Sequence, residues 1–232
     1  MINLSIVIPA YNEAANLKLI LPKIIHVLNG LKHSFEILII DTETPLDDTM
    51  DVCENYASNH VRYILRSQGP SFGSAVRTGI KQSKGKYVVC MDADGSHDAE
   101  LIETLYSHRN DADVVVASRY VKGGGTENSW VLKQMSLIVN IVFRRVFAIN
   151  CKDISNSYKL YNGHQLRALE LSCENFDLVE EILVRLKRAK PTLKILEIPC
   201  FFRQRKHGYT KRKLLLFVVT FLYTLVRLRF MK

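Results

Sequence analysis

Five short apolar runs punctuate the first 120 residues, at Leu4–Ile8, Phe35–Ile40, Val61–Leu65, Lys86–Met91 and Asp113–Ala117. Each has the length of a strand and little polar alternation, as expected of strands buried on both faces. Between the first two, Leu17, Ile20, Leu21, Ile24, Ile25 and Leu28 recur at helical spacing, and weaker helical patterns follow at 47–58, 73–83 and 98–108. A chain that alternates strand and helix this way is committed to an α/β fold: a mostly parallel sheet with right-handed crossovers, flanked by helices. Its chemistry is expected beyond the carboxyl ends of the strands.

After Arg119 the rhythm changes. Lys122-Gly-Gly-Gly-Thr126 reads as a loop. Trp130–Ile149 reads as an amphipathic helix with Lys133, Ser136, Asn140 and Arg144 along one side. A strand near Ile154–Tyr161, a helix near Leu178–Ala189 and a strand at Leu193–Ile198 follow. With no internal repeat or low-complexity linker, residues 1–202 are expected to form one domain, and 203–232 a basic appendage rather than a second domain. The start reads as a first strand, since it has no basic n-region and too short an apolar run for a signal peptide. Five scattered cysteines without CxxC spacing suggest a reduced, cytoplasmic setting and no zinc site.

The net charge of +9 is concentrated at one end. Residues 1–202 hold 23 Lys+Arg and 23 Asp+Glu, whereas residues 203–232 hold nine basic residues and no acid. Such a tail suits an anionic partner, either nucleic acid or a membrane surface. Here the basic residues bracket the thirteen uncharged residues Leu214–Val226, for which a nucleic-acid arm has no use. As a helix those residues span roughly 20 Å, too short for a hydrocarbon core of about 30 Å. Lys213, Thr220, Thr224 and Arg227 form a narrow polar stripe on it, which fits a helix lying in the membrane interface or one packed on the domain.

Five segments fall at strand ends: Pro9-Ala-Tyr-Asn-Glu13, Asp41, Arg66–Ala75, Met91-Asp-Ala-Asp94 and Ala117-Ser-Arg-Tyr120. The fourth is the sharpest. Asp92 and Asp94 are hard oxygen donors two residues apart, able to share one Mg²⁺ or Mn²⁺ with substrate phosphates. The competing reading is that Asp94 or Asp98 caps the helix beginning near Ala99. Glu13 could equally be an acid favoured by a helix N-terminus.

Together these segments resemble the family 2 glycosyltransferases with the GT-A fold, and within them the dolichol-phosphate (polyprenyl-phosphate) mannosyltransferases. The later stretches Asp153–Tyr161, Glu181-Ile-Leu-Val-Arg185, Glu197-Ile-Pro199 and Arg205–Lys211 resemble that group's acceptor-side signatures, in the same order. The stretch Asp41–Thr49 departs from the pattern, as does Ser71-Phe-Gly73 in place of Gly-Leu-Gly.

The resemblance implies a nucleoside pocket lined by Pro9, Tyr11, Glu13 and Asp41, and metal held by Asp92 and Asp94. It implies Arg119 and Arg205 facing phosphate, and Ser96, Asp153, Glu181 and Lys211 as further substrate contacts. Asp94, Arg119 and Arg205 would be the catalytic residues. Either arginine could instead be a surface cation, and Asp153 or Glu181 a structural cap or ion pair. The implied reaction is inverting transfer of a hexose, mannose favoured, from a nucleotide-sugar such as GDP-mannose to polyprenyl or dolichyl phosphate at the cytoplasmic leaflet. The chain would sit peripherally on the inner face of the membrane, through the interfacial tail helix, and some relatives without a transmembrane helix need a membrane partner subunit. The alternative is a family 2 enzyme acting on a saccharide or protein hydroxyl. Nucleic acid is not expected as a partner, because the basic residues bracket an apolar segment and the remaining domain is neutral.

Overall fold

A computed structural model of the chain describes residues 2–67, 69–205, 207 and 214–230, with the side chains of 214–219 outside that description. Its elements run β1 (Leu4–Pro9), α1 (Ala14–Gly30), β2 (Phe35–Asp41), α2 (Thr49–Glu54), β3 (Val61–Leu65), α3 (Phe72–Gln82), β4 (Tyr87–Cys90), α4 (Leu101–Ser107) and β5 (Val114–Ser118). They continue with β6 (Gly125–Thr126), α5 (Trp130–Val146), β7 (Lys159–Asn162), α6 (Gly163–Arg167), α7 (Leu178–Ala189), β8 (Ile195–Pro199), β9 (Phe201–Phe202) and α8 (Leu214–Phe230). The order in the seven-stranded sheet is β3-β2-β1-β4-β7-β5-β8. All pairs are parallel except the two made by β7, which runs antiparallel between β4 and β5.

The apolar runs became central strands because both faces are covered. Ile6, Ile8, Ile37, Ile39 and Val89 pack on the α1/α4 side, and Val7, Leu38, Ile40, Val88 and Val116 on the α3/α7 side. The helical stripe of α1, from Leu17 to Leu28, is buried as its spacing predicts. All five cysteines are buried and free.

The sequence expectation differs from the structure at three places. The strand expected near Ile154–Tyr161 is confined to Lys159–Asn162, because residues 153–158 form a loop whose Asp153 and Ser155 amides donate to the Glu197 and Asn140 side chains and whose Asn156 side chain donates to the Ala117 carbonyl. The short β6 and β9 form a separate parallel pair that carries the chain from the main sheet to residue 203. The third difference concerns α5. Its polar residues Ser136 and Asn140 face inward, bonding Arg119 and Ser155, while Trp130, Ile138 and Ile141 are exposed. Its inner face is thus mixed, with Val139 and Phe143 buried beside Asn140 and apolar side chains on the outer face as well.

The last helix also has a mixed inner face. The described part of α8 packs on the domain through Leu228, which is fully buried, and through Phe221 and Leu225. Its polar stripe also points inward: Thr224 donates to the Asp177 carboxylate and Arg227 to Ser172 Oγ at 2.8 Å. Among the described residues, no helix is long and apolar enough to cross a membrane.

Candidate active site

Beyond β4 the chain stays extended, so alternate residues face opposite ways. Met91 and Ala93 are buried, and Asp92 and Asp94 turn to the carboxyl edge of the sheet. Gly95 then adopts φ +77°, a left-handed turn that glycine makes without strain. That turn brings the Ser96 amide back to donate to Asp94 Oδ1 at 3.0 Å. Neither aspartate caps α4 with its side chain; Asp98 Oδ1 accepts from the Glu100 amide at 3.2 Å in the turn before it. Asp94 therefore remains available for chemistry.

Asp92 is fixed from two sides. Its amide donates to His97 Nδ1 at 3.1 Å, which leaves His97 Nε2 to face Asn156 Oδ1 at 3.2 Å. Ser157 Oγ donates to Asp92 Oδ1 at 2.9 Å. The buried His97 ring is stacked on Tyr158, with centroids 4.7 Å apart. Neither His97 nor Ser157 was singled out from the sequence; the only signal is their place within segments that carry acids.

Opposite Asp94 stands Arg205. Its Nε and Nη2 lie 3.3 and 3.2 Å from Asp94 Oδ2, and Nη2 is 3.4 Å from Glu13 Oε1. Three anchors hold this segment over the sheet edge. The Arg203 amide donates to Ser96 O at 3.1 Å, Arg203 Nη2 pairs with Asp98, and the His207 amide donates to Asn16 Oδ1 at 3.1 Å. Burial raises the Asp94 carboxyl, but hydrogen bonds from Ser96 and the charge of Arg205 outweigh it, so it lies below the usual carboxylate range. It is an anion at neutral pH.

The far end of the edge holds the expected nucleoside residues. Pro9 closes β1, and Asn12 turns left-handed at φ 57° to aim Glu13 into the start of α1. Asp41, fully buried, accepts from the Thr42 amide at 2.7 Å and from Tyr63 Oη at 3.0 Å. Tyr11 is 43% exposed, and its ring lies 5.9 Å from the Arg66 guanidinium. Arg66 is 3% exposed; its Nη1 is tied to the carbonyls of Pro70 and Ser71 at 2.9 and 2.8 Å. Its Nε and Nη2, which share one edge of the guanidinium, are buried without a partner among the described residues. Two such orphaned donors are costly to leave unmatched, roughly 1–3 kcal/mol each, and they mark Arg66 as a residue awaiting acceptors.

Arg119, Asp153 and Glu181 are placed otherwise than a direct phosphate contact requires. Arg119 Nε and Nη2 grip the fully buried Asp153 carboxylate at 2.8 and 2.6 Å, and the Arg119 amide donates to it as well, at 2.8 Å. The fork is thus spent on fastening β5 to the 153–157 loop. Buried Lys159 steadies the same loop, donating to the carbonyls of Ile154, at 2.9 Å, and Asn156. Glu181 accepts from the Ser172 and Cys173 amides at 2.9 and 2.8 Å and pairs with Arg185. Its neighbour Glu174 accepts from Arg77 of α3, so this end of α7 braces α3. Lys211 lies outside the described residues.

Asp92 and Asp94 suit a hard divalent cation. No group of three or more metal-ligating side chains occurs among the described residues. Two carboxylates with an open face are what Mg²⁺ or Mn²⁺ uses when substrate phosphates complete its shell.

A mostly parallel sheet flanked by helices, here with paired carboxylates beyond one of its strands, matches the fold of the GT-A glycosyltransferases. The backbone agrees: glucosyl-3-phosphoglycerate synthase from Mycobacterium tuberculosis, solved with Mn²⁺, UDP and phosphoglyceric acid, superposes with a TM-score of 0.74 at 16% identity, over 99% of this chain and 79% of that one. Residues 5–168 match the model of Glycosyl transferase family 2, and the chain belongs to that family. It is 31% identical to a dolichol-phosphate mannosyltransferase of Pyrococcus furiosus over 90% of its own length, spanning 59% of that protein. It is 28% identical to an undecaprenyl-phosphate mannosyltransferase of Micrococcus luteus, over 88% of this chain and 85% of that protein.

Proposed function

We propose that this chain transfers a hexose, mannose favoured, from a nucleotide-sugar to polyprenyl or dolichyl phosphate, inverting the anomeric centre. The observation that carries the proposal is the meeting of Asp92, Asp94, Glu13 and Arg205 at one sheet edge, in a chain similar to two polyprenyl-phosphate mannosyltransferases.

Asp92 and Asp94 would hold Mg²⁺ or Mn²⁺, which when bound offsets the charge of the departing diphosphate. Arg205 lies beside them with a planar fork suited to phosphate. A phosphate monoester has its second ionisation near ~6, so the acceptor is already a dianionic nucleophile and needs no protein base. A hydroxyl acceptor would need one. The residues' work is then positioning: Arg205 brings two anions together, and Ser157, His97 and Ser96 keep the carboxylates aimed. The apolar face of α8 and the basic residues of the tail would hold the chain peripherally on a membrane surface where such an acceptor resides.

The free edge of Arg66 supports guanine as the base. Two parallel N–H groups match the adjacent O6 and N7 acceptors of guanine, a pairing worth about 1–3 kcal/mol of discrimination, and uracil offers no adjacent acceptor pair. In a panel of GDP- and UDP-sugars with polyprenyl phosphate and Mn²⁺, GDP-mannose should give the most lipid-linked sugar. GDP should outcompete UDP roughly tenfold or more, and Arg66→Lys, which loses the fork, should bring the two nucleotides close to parity. Equal binding by the unaltered chain would remove the guanine assignment.

A further inference from the structure

The aim of Arg66 is set by residues far from it in sequence. Its Nη1 is held by the carbonyls of Pro70 and Ser71, so the unmatched Nε and Nη2 point wherever that turn places them. The turn is fastened in its own right to the 172–177 loop, which leads into α7. Ser71 Oγ donates to the Glu174 carboxylate, 103 positions along the chain, while it accepts from the Ser74 amide at 3.0 Å to cap α3. Arg77 of α3 pairs with the other Glu174 oxygen at 2.7 Å and donates to the Cys173 carbonyl. The Gly73 amide donates to the Glu174 carbonyl at 2.7 Å, and a Cβ on Gly73 would collide with the Cys173 carbonyl, so the two backbones are in contact. Phe72 and Phe176 stack beside them, with centroids 4.4 Å apart.

The last helix holds this loop from its other side. Arg227 of α8 donates to Ser172 Oγ at 2.8 Å and Thr224 to the Asp177 carboxylate, while buried Glu181 takes the Ser172 and Cys173 amides. The loop is thus gripped by directional polar contacts on both flanks, and satisfied networks of this kind rigidify what they join.

We propose that Glu174 is a positioning residue for the nucleotide-sugar donor: it clamps the turn at Ser71 so that the free edge of Arg66 meets the base, and α8 anchors the clamp through Ser172 and Asp177. The inference rests on the donor reading of Arg66 given above. Glu174 acts through Ser71 and Arg77, and its side chain is 54% exposed, so it can be replaced without opening the core. Ser71 and Arg66 belong to one strand-end segment, whereas Glu174, Thr224 and Arg227 reach it only through the fold.

The test is calorimetric titration of the full chain with GDP and with UDP, in Mn²⁺, beside urea unfolding of each variant. Glu174→Ala should lose most of the GDP advantage, roughly tenfold, with UDP affinity little changed. Glu174→Gln keeps an acceptor for Arg77 and a partner for Ser71, and should restore most of that advantage. Thr224→Val with Arg227→Met, which frees the loop from α8, should move the GDP-to-UDP ratio the same way by a smaller factor. A mere brace for α3 would lower the unfolding midpoint of Glu174→Ala and leave the ratio alone, and that result would overturn the proposal. An α8 variant that binds both nucleotides as the unaltered chain does would overturn the anchoring role of α8. The donor reading fails separately, in the unaltered chain. If that chain binds GDP and UDP alike, the guanine assignment falls, and the clamp is judged by GDP affinity alone: a loss in Glu174→Ala that Glu174→Gln restores supports it, and no loss overturns it.

Discussion

Asp94→Asn is expected to lower turnover by at least about 100-fold, beyond what loss of an outer-sphere partner alone costs, with the fold intact. The substitution keeps the shape of the side chain and the hydrogen bond from Ser96, but removes the charge that faces Arg205 and would face the metal. Asp94 is only partly buried, so its neutralisation leaves no stranded charge in the core. The effect should appear in kcat and kcat/KM together, because the carboxylate opposes charge that grows as the diphosphate departs. Excess EDTA should produce the same loss in the unaltered chain. Full activity in Asp94→Asn, or in EDTA, would take the metal away from this site.

The largest effect on stability is expected at Asp153. Its carboxylate is fully buried and accepts from Arg119 Nε, Arg119 Nη2 and the Arg119 amide, so Asp153→Ala strands an arginine that is 8% exposed. Breaking one partner of a buried pair costs about 3–5 kcal/mol, whereas replacing both by apolar groups of similar volume can be nearly neutral. Urea unfolding of Asp153→Ala should show that loss. The double substitution Arg119→Met with Asp153→Leu should recover a large part of it. A single substitution that leaves the unfolding midpoint unchanged would contradict the structural role.

The strand ends are legible in the sequence because buried parallel strands are written as unbroken apolar runs, and the residue after each run is where ligands meet an α/β sheet. Pro9, Asp41 and Asp92 all stand there. The contact between Glu13 and Arg205 joins residues 192 positions apart, which no local pattern encodes; only the family likeness puts both in one site. The amphipathicity of α5 is equally plain, but periodicity states that a helix has two faces, not which one meets the domain. There the buried Asp153–Arg119 pair decides the matter, since it needs Ser136 and Asn140 nearby. Arg66 heads one of the strand-end segments, but its role is not legible there for a related reason. A basic residue at a strand end is unremarkable until burial leaves two of its donors without acceptors.

The central claim, attack by a lipid phosphate oxygen on the anomeric carbon with inversion, is tested most directly by the linkage in the product. The chain is supplied with GDP-α-mannose, Mn²⁺ and a short-chain prenyl phosphate, and the purified product is examined by ¹H and ³¹P NMR. The account predicts an anomeric proton coupled to phosphorus, in the β configuration. An α configuration, or a sugar joined to a hydroxyl with no phosphorus coupling, would contradict it.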